Sequence, residues 1–191
     1  MAEQENIIDV GSDKEFPSRE LSNFAPHEFD LDGIHCASME GFLQSLKFPD
    51  PDKQKSICGL VGFYAKKAGT EQNWQKHQIL YWRGKRIVRR SKEYQTLLDR
   101  AYLAMLNNKD FRIALRASGN ATLIHTVGKM KEGETVLTIR EFIHRLNWCR
   151  LLLNKMDAET LSTFAGKMIT EQKPLDDDSA KILEENLWSL T

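Results

Sequence analysis

Ser38-Met39-Glu40-Gly41-Phe42-Leu43-Gln44-Ser45-Leu46-Lys47-Phe48 is the stretch from which the rest of the chain can be read. Ser38 is an N-cap residue, and Pro49 and Pro51 stop a helix at about Phe48. Met39, Phe42, Leu43 and Leu46 recur at the spacing of one helix face and predict a buried stripe. Glu40, Gln44 and Lys47 follow one another at i, i+4 and i+7 on another face, so a carboxylate and an amine can address one cleft. The carboxylate could stabilise a developing positive charge or pass a proton. The amine could hold phosphate, or attack an opened sugar if its pKa is lowered. A solvated face of an amphipathic helix shows the same stripe, and periodicity does not separate the two readings.

Upstream of this helix, residues 1–20 are polar, with Ile7, Ile8 and Val10 fitting a short strand. Residues 29–35 alternate in part around an Asp32-Gly33 turn and predict a hairpin. Downstream, a second helix is expected over 52–67, ending near Gly69. The strongest periodicity is Tyr94, Leu97, Leu98, Ala101, Tyr102 and Met105, one face of a long helix. A short helix over 110–117 closes at Ser118-Gly119-Asn120. Thr138-Ile139-Arg140-Glu141 is a capping box, with Phe142, Ile143, Leu146 and Cys149 behind it as an inward stripe. Amphipathic helices from Asp157 and from Asp178, joined by a linker at 172–175, complete the chain. The fold class expected is α+β, a mostly helical single domain with a few short strands. Residues 1–154 are expected to form the main, site-bearing part. Residues 155–191 form a helical extension that packs on the same domain or serves a partner or dimer contact.

Composition narrows the function. The 191 residues are 41% apolar with four Trp, enough for a packed core. Lys plus Arg and Asp plus Glu both number 27, and the zero net charge argues against broad electrostatic binding to nucleic acid. No apolar run approaches a membrane span and no secretory segment is evident, so a cytoplasmic location is expected, without a membrane partner. Cys36, Cys58 and Cys149 are widely spaced and suggest neither a zinc site nor a disulfide framework. There is no Gly-rich phosphate loop and no HExxH spacing, so neither a metal nor a cofactor is expected.

Two further clusters could carry chemistry. Between Arg83 and Arg90 lie five basic residues, including Lys85, flanked by Trp82 and Tyr94. That mixture suits a ligand with a ring and phosphates, or a basic surface loop leading into a helix. His125-Thr126-Val127-Gly128-Lys129 places a histidine before a glycine turn. It could donate a proton or hold a ligand, or the imidazole could be hydrogen-bonded in place.

Taken in order and spacing, Leu21-Ser22-Asn23-Phe24, Asp32-Gly33 and Ser38-x-Glu40…Gln44-x-x-Lys47-Phe48 resemble the NADAR (NAD- and ADP-ribose-linked) family. The resemblance continues through Tyr81-Trp82-Arg83-Gly84-Lys85, Arg90-Ser91-Lys92-Glu93-Tyr94, Gly119-Asn120-Ala121, His125-Thr126-Val127-Gly128 and Thr135-Val136-Leu137-Thr138 to Asn186-Leu187-Trp188. It implies a compact, mostly helical α+β fold and hydrolysis of a ribose C1′–N bond without a metal. Family activities include removal of ADP-ribose from modified guanine and splitting of a ribosylated pyrimidine of riboflavin synthesis.

Carried over residue by residue, Glu40 is the catalytic carboxylate and Lys47 the essential lysine, able to form a Schiff base with opened ribose. Asn23 and Phe24 line the sugar pocket and Gln44 supports Glu40. Ser22, Trp82, Lys85, Arg90, Tyr94, His125 and Gly128 complete the expected substrate contacts. The partner implied is an ADP-ribose-containing substrate, including ADP-ribosylated DNA or RNA. Many members have Glu-His where this chain has Glu40-Gly41, and the segment after Gly128 also departs from the common pattern, as in a variant branch. A phosphorylated ribosylamine as substrate, or a non-catalytic module that binds ADP-ribose or NAD, are the rival readings.

Overall fold

A computed structural model describes residues 6–156 together with Thr160, Thr163, Phe164, Gly166 and Lys167. The helices expected from Asp157 and Asp178, and with them most of 155–191, lie outside the described residues. The fold is α+β with helices predominating, and the described strands form three two-stranded sheets.

The chain opens with β1 (Ile7–Asp9) and a short α1 (Ser18–Leu21). β2 (Phe29–Leu31) and β3 (Ile34–Cys36) form the expected antiparallel hairpin. Asp32 and Gly33 both have positive φ, 53° and 77°, as a tight primed turn requires. α2 (Met39–Ser45) starts at Ser38, whose Oγ accepts from Gly41 N at 3.0 Å.

The helix expected over 52–67 is two helices, α3 (Pro51–Cys58) and α4 (Gly62–Ala68). The carbonyls that would continue α3 are taken by the start of α2. Ala37 N donates to Cys58 O at 2.8 Å and Ser38 Oγ to Leu60 O at 2.9 Å. Gly59 ends the first helix, and the chain turns at Gly62 (φ 51°) into the second. α2 can approach this bend only because residue 41 is glycine. A Cβ there would stand 2.6 Å from Leu60 O, 2.8 Å from Cys58 O and 3.0 Å from Ile57 O.

The basic segment is a hairpin rather than the loop allowed by the sequence. β4 (Ile79–Trp82) pairs antiparallel with β5 (Lys85–Val88), turning at Arg83 and Gly84 with φ 51° and 76°. Leu80, Trp82 and Ile87 face inward while Lys85, Arg86 and Val88 are exposed, a period of two hidden beneath the density of charge. α5 (Lys92–Met105) occupies the centre of the core, with every residue from Arg100 to Met105 buried. α6 (Lys109–Ala117) is capped by Asn108, and α7 (Ile139–Lys155) begins with the expected capping box.

The pairing that positions the site is long-range. β6 (Thr122–Ile124) runs parallel to β1 with Ile7 opposite Thr122 and Asp9 opposite Ile124. The segments that follow both strands, Gly11–Lys14 and His125–Lys129, therefore leave the same edge side by side.

Candidate functional site

Those two segments form one wall of a cleft of about 590 Å³. Ser22, Asn23 and Phe24 after α1, Glu40, Leu43 and Gln44 on α2, Lys66 on α4, and the segment before α7 supply the rest of its lining. Of the residues singled out in the sequence, Ser22, Asn23, Phe24, Glu40, Gln44, His125 and Gly128 come together here.

Glu40 and Gln44 are both buried, which removes the reading of their helix face as solvated surface. The Glu40 carboxylate is 5% exposed by residue, yet lines the cleft. Its Oε1 accepts from Gln44 Nε2 at 2.7 Å, and Lys66 Nζ stands 3.5 Å from the same oxygen. Its backbone N–H donates to Asn23 O at 2.9 Å, tying α2 to the Ser22–Phe24 turn. Asn23 Oδ1 accepts from Tyr102 OH at 2.8 Å, which leaves the NH₂ end of the amide to the cleft. Burial pushes the Tyr102 phenol well above its usual range, so it remains the donor in this bond.

Lys47 lies one turn beyond Gln44, half-buried and outside the cleft lining. Its Nζ donates to Gly69 O at 3.0 Å. Burial, with the charge of Lys66 acting the same way and that of Glu40 opposing, lowers the amine to about 8. Roughly a tenth of such amines are neutral at pH 7, several hundred times more than for an ordinary lysine. Gly69 also receives the Gln44 side chain, since a Cβ there would sit 2.0 Å from Gln44 Oε1. Lys47, Gly69, Gln44 and Glu40 are thus one packed unit.

His125 Nδ1 is 2.6 Å from Val10 O and must carry the proton, because a carbonyl can only accept. This leaves Nε2 as the ring atom that exchanges protons. Phe142 supports the imidazole edge-on, with centroids 5.1 Å apart. The turn that carries His125 is pinned by Asp9, which accepts from Thr126 N at 3.0 Å and Thr126 Oγ1 at 2.8 Å. These bonds hold the Asp9 carboxyl below its usual pKa. The histidine is both hydrogen-bonded in place and part of the cleft, so the two readings of it coexist.

Trp82, Lys85, Arg90 and Tyr94 are not brought to this cleft. Trp82 is buried and donates from Nε1 to Asp32 Oδ2 at 2.7 Å, while Arg100 pairs with the other oxygen of Asp32. With Lys85 they line a second cavity of about 520 Å³. Arg90 is exposed beside Glu132, and Tyr94 is fully buried with its OH donating to Val136 O. The reason is the β4–β5 hairpin, which buries one face and turns the other outward. Arg89, next in sequence, is fully buried. It grips Glu141 through two bonds of 3.0 and 2.6 Å and donates from Nε to Thr135 O. Arg89 therefore holds the segment before α7 against the cleft.

Lys66, Lys14 and the Asp9–Asp13 segment are in the cleft without having been singled out as site residues, and Lys129 joins them from the His125 cluster. Lys66 had a faint signal as a lysine near a helix end. The first strand was legible from Ile7, Ile8 and Val10, but its place at the cleft was not, because that depends on β6, more than a hundred residues away.

Residues 15–151 match the family described as Bacteriophage protein GP30.3. The chain belongs to that family. It is 38% identical over 146 residues to the uncharacterized 17.1 kDa protein of the Gp30–rIII intergenic region of Enterobacteria phage T4, covering 75% of this chain and 96% of that one. Among solved structures it resembles the NMR structure of the E. coli protein YbiA, with a TM-score of 0.53 and 19% identity over 80% of this chain and 88% of that one. The fold is therefore YbiA-like. Among the described residues no helix is long and apolar enough to cross a membrane, and no group of three or more His, Cys, Asp or Glu converges as for a metal ion.

Proposed function

We propose that this protein is an N-glycosidase of the NADAR type that removes ADP-ribose from ADP-ribosylated guanine. The observation that carries the reading is Glu40, a buried carboxylate lining a large cleft, oriented by Gln44 and packed with a lysine whose amine is lowered to about 8. A solvated helix face has no need of such an arrangement.

In the reaction the ribose C1′–N bond breaks and its electrons leave with the guanine nitrogen. His125, protonated at Nε2, supplies the proton that this nitrogen takes up. Glu40 faces the positive charge that develops at C1′ and the ring oxygen. The neutral Lys47 amine leaves Gly69 O, forms a bond to C1′ and gives up a proton to Glu40; the sugar ring then opens, its oxygen takes that proton from Glu40, and a protonated imine joins Lys47 to C1′. Water adds to C1′, a proton returns to His125 as the amine leaves, and the sugar hydroxyl closes back on C1′, which releases ADP-ribose and restores the amine. Lys14 and Lys129, at the mouth of the two cleft segments, take the pyrophosphate role expected of the 83–90 segment. Asn23, with its amide fixed by Tyr102, bonds the sugar hydroxyls, and Phe24 packs on the ribose face.

The test is incubation of the protein with a short DNA carrying ADP-ribosylated guanine, beside Glu40→Gln and Lys47→Ala. ADP-ribose is released by the parent and by neither variant. Full activity in both variants overturns the proposal.

A further inference from the structure

The exposed face of α4 is unusual for a short surface helix. Gly62 and Ala65 are buried, while Phe63, Tyr64, Lys66 and Lys67 face solvent. Phe63 is 68% exposed and Tyr64 74%, and their rings meet edge to face with centroids 6.3 Å apart. Two neighbouring aromatic rings so exposed stand outside the buried core of the described residues. Their position links them to the cleft. Lys66, one turn on from Phe63, lines it, and Gly62 packs on Phe24, which also lines it. Neither ring itself lines the cleft, so a ligand held wholly inside has no contact with them.

We propose that Phe63, Tyr64, Lys66 and Lys67 form a stacking platform at the rim of the cleft for the unpaired nucleic-acid strand that carries the scissile nucleotide. Aromatic faces take any base by stacking, and lysines one turn away meet the phosphates between bases. α4 carries no acidic residue of its own, and Glu40, 3.5 Å from Lys66, is the carboxylate that faces this end of the platform. A protein partner fits less well, because protein interfaces deplete lysine around their aromatic anchors and this face offers no aliphatic side chain. The platform spans one or two nucleotides, which reconciles nucleic-acid binding with a chain of zero net charge. With two lysines engaged, the logarithm of affinity falls against that of salt concentration with a slope of roughly −1.4. The inference extends the glycosidase reading, since the platform borders the same cleft.

Binding is measured by fluorescence anisotropy with an unmodified, labelled 12-nucleotide single-stranded DNA, while free ADP-ribose is titrated by calorimetry. The parent binds the strand more tightly than a duplex of the same sequence. Phe63→Ala/Tyr64→Ala weakens strand binding by about tenfold or more, as loss of base stacking does. Phe63→Tyr preserves it, and ADP-ribose binding is unchanged in both variants. A parent that does not bind the strand, or a double variant that binds it equally well, overturns the platform. So does a double variant that loses ADP-ribose binding as well, which would put the rings in the cleft machinery. Release of ADP-ribose from a modified free nucleotide without strand binding would refute the platform and leave the glycosidase. Strand binding without any release would do the reverse.

Discussion

Gly41→Ala sets two effects of opposite sign against each other beside the central carboxylate. Helix propensity favours the change by about 1 kcal/mol in a helix interior. The structure opposes it, because the new methyl would meet three backbone carbonyl oxygens at 2.6, 2.8 and 3.0 Å. None of these oxygens belongs to a flexible side chain that could swing aside, and those of Cys58 and Leu60 already accept from Ala37 and Ser38. Overpacking of this kind costs about 1–3 kcal/mol, and three contacts on backbone place it at the upper end. The net loss expected is about 1–2 kcal/mol, or a fall in Tm of about 2–8 °C for a domain of this size. Thermal unfolding followed by circular dichroism reads this directly. Separating α2 from the bend between α3 and α4 also moves Glu40 relative to Lys66, so kcat should fall by about tenfold or more. A variant that is more stable than the parent, as propensity predicts by itself, would refute the packing argument.

Arg89→Met should destabilise the protein by about 3–5 kcal/mol in urea, because Glu141 keeps a partly buried charge without its main partner, and Arg89→Met/Glu141→Gln should recover part of that loss. Burial would raise the Glu141 carboxyl, but bonds from Arg89, Thr138 N and Gln95 outweigh it and hold the pKa below the usual value. The stability Glu141 contributes is therefore present above its unfolded pKa and lost as pH falls through the folded value, and acid titration of Glu141→Gln should lack this step. Lys47 has the same sign in an alkaline window, because its folded pKa is also depressed. With its folded pKa lowered to about 8 from an unfolded 10.5, stability should rise as pH climbs between these values, and urea midpoints of Lys47→Met at pH 7.5 and 9.5 should lack the rise. Borohydride added during turnover should trap a covalent adduct on the parent and none on Lys47→Met; no adduct on either would exclude attack by the amine.

What could be read from the sequence concerns neighbours along the chain. Ser38 and the capping box at Thr138 start helices because a side-chain oxygen and an orphan N–H are within three residues of each other, so tertiary structure had little to add. The Asp32-Gly33 turn is equally local. The grouping of Glu40 with Gln44 follows from helix geometry, and the order of motifs indicated that Asn23 belonged with them. The basic hairpin was hidden because its strands are four residues long and half the side chains of the second carry charge, so alternation was masked by composition.

The local code itself determined the helix that carries Glu40, its caps and its buried stripe. Tertiary structure decided whether that helix faces water or a cleft, since this depends on which backbone passes over residue 41 and whether a side chain there would obstruct it. It also decided which cations share the cleft. Lys66 joins Glu40 because α3 breaks at Gly59, and Lys14 and Lys129 line one cleft because β1 pairs with β6 from the far end of the chain. Arg83 to Arg90 go elsewhere because hairpin pairing has a period of two and the inner face was claimed by Leu80, Trp82 and Ile87. A periodic pattern states which face of an element is apolar; what that face and its opposite meet is set by contacts whose partners lie tens of residues away.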